Sequence, residues 1–176
     1  NDADPTWYTV TVTVTDDDGA FFTDTADITV NNVIPSINLT FPLGGENLNG
    51  MQTITWSEYD PASGDNPLNI TVEISDDNGA SWTVLGVENT NAQSMSWDTT
   101  LTTSFDSNQY LVRVTAQDDD TNTSFSQSAM FTVDNNGPFT YYANVAPNPV
   151  IIGQNATFTA NASDQFGISN ATLWLT

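Results

Sequence analysis

The 176-residue chain has no cysteine, no histidine and no lysine, and Arg113 is its single basic residue. Those absences exclude several kinds of chemistry before any motif is read. Without Cys or His there is no zinc finger, no thiol chemistry, no histidine-based catalysis and no disulfide framework. Without Lys, a Lys–Asn isopeptide cross-link cannot form within the chain. With 22 Asp and Glu against one cation, the formal net charge is −21, and a chain so charged is repelled by phosphate backbones and anionic lipid. Nucleic acid and direct membrane contact are therefore not expected partners. No apolar run of membrane length, signal peptide or lipidation motif is present, and the chain reads as an excerpt. Any export signal and anchor are expected outside these residues.

What is present is alternation. Tyr8 to Val14 reads YTVTVTV and runs into Asp16-Asp17-Asp18-Gly19. Apolar residues at every second position are the pattern of a strand with one buried face, so Tyr8, Val10, Val12 and Val14 are expected to point inward and the intervening threonines outward. The frame returns at Tyr110 to Ala116, YLVRVTA, followed by Asp118-Asp119-Asp120, and the two tyrosines are 110 − 8 = 102 positions apart. There Tyr110, Val112, Val114 and Ala116 take the inward places. The match continues beyond the turn, where FTDTADITVNN from Phe22 is answered by FSQSAMFTVDN from Phe125. A repeat of about a hundred residues is the length of one β-sandwich. Each copy leads into a proline-containing joint, Asn31 to Pro35 and Asn135 to Pro138.

The expected architecture is all-β, a tandem of immunoglobulin-like β-sandwiches with one complete and two partial. Residues 1–33 supply a closing hairpin, residues 34–136 a complete sandwich, and residues 137–176 the opening strands of a third. In the complete unit, Ile37, Leu39 and Phe41 mark a first strand, Pro42 to Gly50 a loop, and Ile54 and Trp56 a second strand. A polar loop from Asp60 to Pro67 follows, then strands around Ile70-Val72-Ile74, Trp82-Val84 and Met95-Trp97. In the third unit Ala156, Phe158 and Ala160 mark one strand, Asp164 to Gly167 a loop, and Ala171, Leu173 and Leu175 another strand. Gly50 and Gly153, 103 positions apart, each precede the second strand of their unit.

Tyr8, Val10, Val12, Asp16, Asp17 and Gly19 resemble the final hairpin of a PKD (polycystic kidney disease) domain, Y-x-V-x-V-T-D-D-x-G, whose upstream W-x-F-G-D-G segment is missing here. Residues 34–136, with P-x-G-G-E, T-I-T-W and S-W-D-T-T, resemble the fibronectin type III-like and immunoglobulin-like modules of archaeal and bacterial surface proteins. Ser75 to Trp82 is similar to the Asp-box, S-x-D-x-G-x-[ST]-W, of sialidase-type propellers. That resemblance implies a self-stabilised hairpin in which Ser75, Asp77, Gly79 and Trp82 serve structure and not catalysis, and a single copy does not make a propeller.

Four kinds of site come into question. Asp16 to Asp18, Asp60 with Asp65, Asp76 with Asp77, and Asp118 to Asp120 offer hard oxygen ligands suited to calcium, and Asp118, Asp119 and Asp120 are the best placed. None has the D-x-D-x-D-G spacing of a calcium loop, and Asp in turns serves solubility and turn geometry by itself. Glycoside hydrolysis needs paired carboxylates, yet Glu46, Glu58, Glu73 and Glu88 fall in loops or on outward strand positions, so no enzyme activity is expected. Carbohydrate binding through Trp7, Tyr141, Tyr142 and Trp174 is a further option. Finally, Asn38, Asn69, Asn122, Asn155, Asn161 and Asn170 each head an N-x-[ST] sequon on an outer strand position or loop. Serine and threonine are abundant enough to produce sequons by chance, so placement and not number makes them glycosylation candidates.

Together these readings give a structural segment of an extracellular surface protein or filament, archaeal in type, with neighbouring copies, flanking domains of the same polypeptide or glycans as partners. The alternative is an accessory or carbohydrate-binding module of a secreted hydrolase. The two partial units are expected to complete one another between copies, with Leu173 and Leu175 sharing a core with Tyr8, Val10 and Val12 of a neighbour.

Overall fold

A computed structural model describes residues 6–61, 67–102 and 106–173. The described residues are nearly all β. In chain order the strands are β1 (Thr6–Thr15), β2 (Phe21–Val30), β3 (Ser36–Phe41), β4 (Asn47–Leu48), β5 (Met51–Tyr59), β6 (Asn69–Ser75), β7 (Thr83–Glu88) and β8 (Ser94–Asp98). A four-residue helix, α1 (Thr99–Thr102), precedes β9 (Ser107–Gln117), β10 (Thr123–Gln127), β11 (Phe131–Val133), β12 (Phe139–Ala146) and β13 (Thr157–Ser163).

Strands β3 to β11 form two sheets that share one core. The smaller has the order β3-β5-β8; the larger runs β4-β11-β9-β6-β7, with β10 also paired to β9. The alternation in sequence explains the faces. Val112, Val114 and Ala116 of β9, Ile70 and Val72 of β6 and Ile54 of β5 are fully buried, and Leu39 and Trp56 nearly so. Trp97, Tyr110 and Phe131 meet with ring centroids 5.9–6.2 Å apart in tilted, edge and stacked arrangements. Each large apolar side chain buried this way contributes ~1.5–3 kcal/mol, so this aromatic cluster anchors the packing of β8 on β9 and β11.

The repeat is visible in hydrogen bonding as well as in sequence. Asp16 N–H donates to Ala20 O at 2.9 Å and Asp118 N–H to Asn122 O at 3.1 Å. Asp16 Oδ1 accepts from Ala20 N–H at 2.8 Å, as Asp118 Oδ1 does from Asn122 N–H at 2.7 Å. Each turn needs one left-handed residue, supplied by Gly19 (φ 84°) in the first and Thr121 (φ 73°) in the second. Across the strands Tyr8 lies opposite Ile28, and Tyr110 opposite Phe131. The opening strands correspond too: Leu39 lies opposite Trp56 in the central sheet, and Ala143 opposite Ala160 in the β12–β13 pair.

The outer hairpins β1–β2 and β12–β13 are each two-stranded sheets. In β1–β2 the register places Tyr8, Val10, Val12 and Val14 on one face with Phe22, Ala26, Ile28 and Val30, and with Asp24 opposite Val12. The other face sets Thr11 opposite Thr25 and Thr13 opposite Thr23, with Thr9 opposite Asp27, Thr15 opposite Phe21 and Trp7 opposite Thr29. The expected parity is therefore present, but the face expected to be buried is open, with Tyr8, Val10, Val12 and Val14 between 44% and 66% exposed. No second sheet lies over it among the described residues.

Other expectations change in detail. The return strand of the second copy is split into β10 and β11, because Ala129 and Met130 leave β9 to bond Leu43 and Gly45. Beyond the break β11 pairs in parallel with β4, a two-residue strand inside the stretch read as a loop. A Cβ on Gly44 would sit 2.5 Å from the Ala129 Cβ, so this crossing requires glycine. Strand β12 is not announced by the sequence, whose alternation is interrupted at Tyr141-Tyr142. Among the described residues Ala171 and Leu173 belong to no strand. Leu175 and Trp174 lie outside the described residues, as does Asp65.

Candidate functional site

In the acidic turns the Asp16 and Asp118 carboxylates hold the chain. Asp118 is buried; its Oδ1 caps the turn at Asn122 and its Oδ2 accepts from Asn32 Nδ2 at 2.8 Å, tying the segment after β2 to the central sheets. Asp16 is likewise spent on Asp18 and Ala20 N–H groups. Among the described residues, no group of three or more acidic side chains is arranged to hold a metal ion, and Asp118, Asp119 and Asp120 do not converge as one.

The hairpin Ser75 to Trp82 is self-contained. Ser75 Oγ donates to Asp77 Oδ1 at 2.7 Å and accepts from Gly79 N–H at 2.8 Å. Asp77 also accepts from Ser81 Oγ at 2.6 Å and Ser81 N–H at 2.9 Å. These donors, the Ser81 hydroxyl foremost, lower the Asp77 carboxyl to about 2. Gly79 takes φ 86°. The half-buried Trp82 ring lies beside Gly79, and the Arg113 guanidinium stands 4.2 Å from its centroid. Arg113 in turn pairs with Glu73 at 2.8 Å across β6 and β9. The only basic side chain is thus held by a cation–π contact and an ion pair, a combination the sequence pattern did not disclose.

Each of the four glutamates has partners within the chain. Glu46 accepts from Leu43 and Gly44 N–H groups, both at 2.8 Å. Glu88 is buried, contrary to the expectation of an outward or loop position. It closes the loop after β7 by accepting from Thr90 N–H, Thr90 Oγ1 and Ala92 N–H. Glu58 accepts from Trp56 Nε1 at 2.7 Å; burial raises its carboxyl above the usual range, Trp56 opposes this, and nearby Glu88 adds to it. Glu46 and Glu88 are thus tied to backbone N–H groups, Glu58 to an indole N–H and Glu73 to the Arg113 guanidinium, while Glu58 Oε1 is buried with no hydrogen-bond partner.

Of the aromatics, Trp7, Tyr141 and Tyr142 are exposed, and Phe139 stacks on Tyr141 at 6.3 Å. Asn38, Asn69, Asn155, Asn161 and Asn170 are exposed, while Asn122 is half-buried in the Asp118 turn.

Two of the exposed surfaces are largely apolar. Besides the β1–β2 face, an open groove of about 520 Å³ on β12–β13 is lined by Ala143, Val145, Phe158, Ala160, Ala171 and Leu173. Contiguous apolar surface of this kind marks an interaction site in soluble proteins. No protein-family model, no curated protein and no solved structure matches the chain.

Proposed function

We propose that the chain is a structural segment of an extracellular surface protein or filament of archaeal type. In this reading it is built of tandem immunoglobulin-like sandwiches, and its partial units, 1–33 and 137–176, are completed by a neighbouring copy. The observation that carries the reading is the contrast between a closed centre and two open ends. In the central sheets Trp56, Trp97, Tyr110 and Phe131 are buried in one core, whereas the outer hairpins expose apolar faces. Isolated two-stranded sheets are marginally stable in water and need a covering layer. The exposed sequons, the acidity and the absence of Lys and Cys suit a glycosylated surface component with no catalytic role. No helix among the described residues is long and apolar enough to cross a membrane.

Light scattering across rising protein concentration tests this. Growth into elongated particles supports the reading; a monomer at every concentration removes it. The second reading, an accessory or carbohydrate-binding module of a secreted hydrolase, draws on the exposed Trp7, Tyr141 and Tyr142. Retention on an insoluble polysaccharide, lost on changing those three residues to alanine, would favour it.

A further inference from the structure

We propose that Asn136-Gly137, in the joint after β11, is a site of self-modification, at which the backbone converts the Asn136 side chain to aspartate and isoaspartate. The chain contains three Asn-Gly pairs, Asn49-Gly50, Asn78-Gly79 and Asn136-Gly137. Glycine is the most permissive neighbour for this chemistry, because it has no Cβ to keep its nitrogen away from the preceding side-chain amide. The glycine nitrogen gives its proton to base and forms a bond to the asparagine Cγ. The Cγ–Nδ2 bond breaks, ammonia leaves with a proton drawn from water, and a cyclic imide remains. Water then adds to either imide carbonyl carbon. Opening of the ring returns the main chain through the original carbonyl, as aspartate, or through Cγ, as isoaspartate. Water is the one co-reactant, and nothing is oxidised or reduced.

The structure separates the three pairs. At the first two the backbone itself requires glycine, with φ 60° at Gly50 and 86° at Gly79, and the attacking nitrogen is already committed. Gly50 N–H donates to Asn135 Oδ1 at 3.1 Å, and Gly50 O accepts from Thr99 N–H at 3.1 Å and Thr99 Oγ1 at 3.0 Å. Gly79 N–H donates to Ser75 Oγ at 2.8 Å inside the self-contained hairpin. Attack at either place has to wait for local opening. Gly137 differs on each count. Its φ lies outside the left-handed region, and a Cβ placed there would meet nothing within 4 Å. Among the described residues its N–H has no hydrogen-bond acceptor, and both Asn136 and Gly137 are exposed. The fold thus gives no steric or conformational reason for glycine at 137. Asn136 is held through its amide nitrogen, which donates to Asp106 Oδ2 in a solvent-exposed bond that water can replace. The product puts a negative charge beside Asp106 where a donor stood. Asp134, two residues earlier, is already held above the usual carboxylate range, by burial first and then by Asp164 and Asp106. A further carboxylate there, or the extra main-chain carbon of isoaspartate, is expected to loosen the joint between β11 and β12.

Peptide mapping tests this on the full chain. The protein is held at mildly alkaline pH, folded or in urea, and aliquots are digested with pepsin in acid, which halts the reaction. Mass spectrometry then follows the amide-to-acid shift at each asparagine, and chromatographic retention separates aspartate from isoaspartate. In the folded chain Asn136 should convert roughly tenfold or more faster than Asn49 and Asn78, because only those two must open first. In urea the three rates should converge. Gly137→Ala fits the open space, so circular dichroism should be unchanged while Asn136 slows to the level of the other two or below. Equal rates at the three pairs in the folded chain, or faster conversion at Asn49 or Asn78, would overturn the inference. So would an Asn136 that converts in urea and not in the folded chain, or one indifferent to Gly137→Ala. Should that substitution disturb the fold, the comparison of folded and urea-unfolded parent chain decides by itself.

Discussion

A single left-handed residue separates the two repeated turns. Gly19 meets no steric cost at φ 84°, but Thr121, β-branched, holds φ 73° in the equivalent place. That conformation costs an L-residue ~1–2 kcal/mol, and glycine's greater freedom in the unfolded chain returns ~0.4–1 kcal/mol of this. Thr121→Gly is therefore expected to stabilise the central sheets by roughly 0.5–1 kcal/mol, read as a higher denaturation midpoint at unchanged slope. A lower midpoint would show that the Thr121 side chain is needed where it stands. Asp77 gives a second prediction at this scale. Its folded value of about 2 lies below that of an ordinary aspartate, so the unfolded chain binds the proton more tightly. The contribution of Asp77 is fully present above the unfolded value and is lost as pH falls through about 2. NMR titration should place its carboxyl near 2, with Ser81 and Gly79 amide shifts following the same curve. Titration near 4 would mean that the hairpin bonds are not formed in solution.

Among elements, the junction of α1, β5 and the end of β11 depends on one side chain. Asn135 Oδ1 accepts from Gly50 N–H at 3.1 Å and from the buried Thr99 hydroxyl at 2.9 Å, while its Nδ2 donates to Thr99 O at 3.3 Å. Asn135→Ala leaves part-buried donors and an acceptor without it, which costs ~1–3 kcal/mol for such groups. A thermal midpoint within a degree of the parent would contradict that role. The elements also show what could be read in advance. Tyr110, Val112, Val114 and Ala116 are buried as their alternation requires, because period-two patterning is a local property written in consecutive residues. Strand β4 was not legible, since Asn47-Leu48 becomes a strand only when the Gly44–Ala129 crossing brings β11 beside it. The burial of Glu88 and the Arg113 contact on Trp82 were not legible for the same kind of reason: the loop that buries one and the guanidinium that covers the other come from side-chain geometry and pairing between strands. Of the candidate sites, the Ser75 to Trp82 hairpin was readable because its bonds span four residues, whereas the apolar groove joins segments more than ten residues apart.

For the whole molecule, charge and apolar surface act in opposite directions. A net charge of −21 makes copies repel one another, while the open faces of β1–β2 and β12–β13 favour burial against a partner. Salt screens the repulsion over about 8 Å at physiological strength and over about 3 Å at 1 M, so head-to-tail growth should strengthen as salt rises. Growth that weakens with salt would mean that ion pairs, and not apolar faces, make the contact. Hydrogen exchange of the intact chain, followed residue by residue as concentration is raised, addresses the head-to-tail contact most directly. If copies complete one another's open sheets, the outer-edge amides of β1 and β13 should become protected together, while β6 and β9 remain protected throughout. Exchange at those edges of β1 and β13 that stays fast and independent of concentration would contradict it.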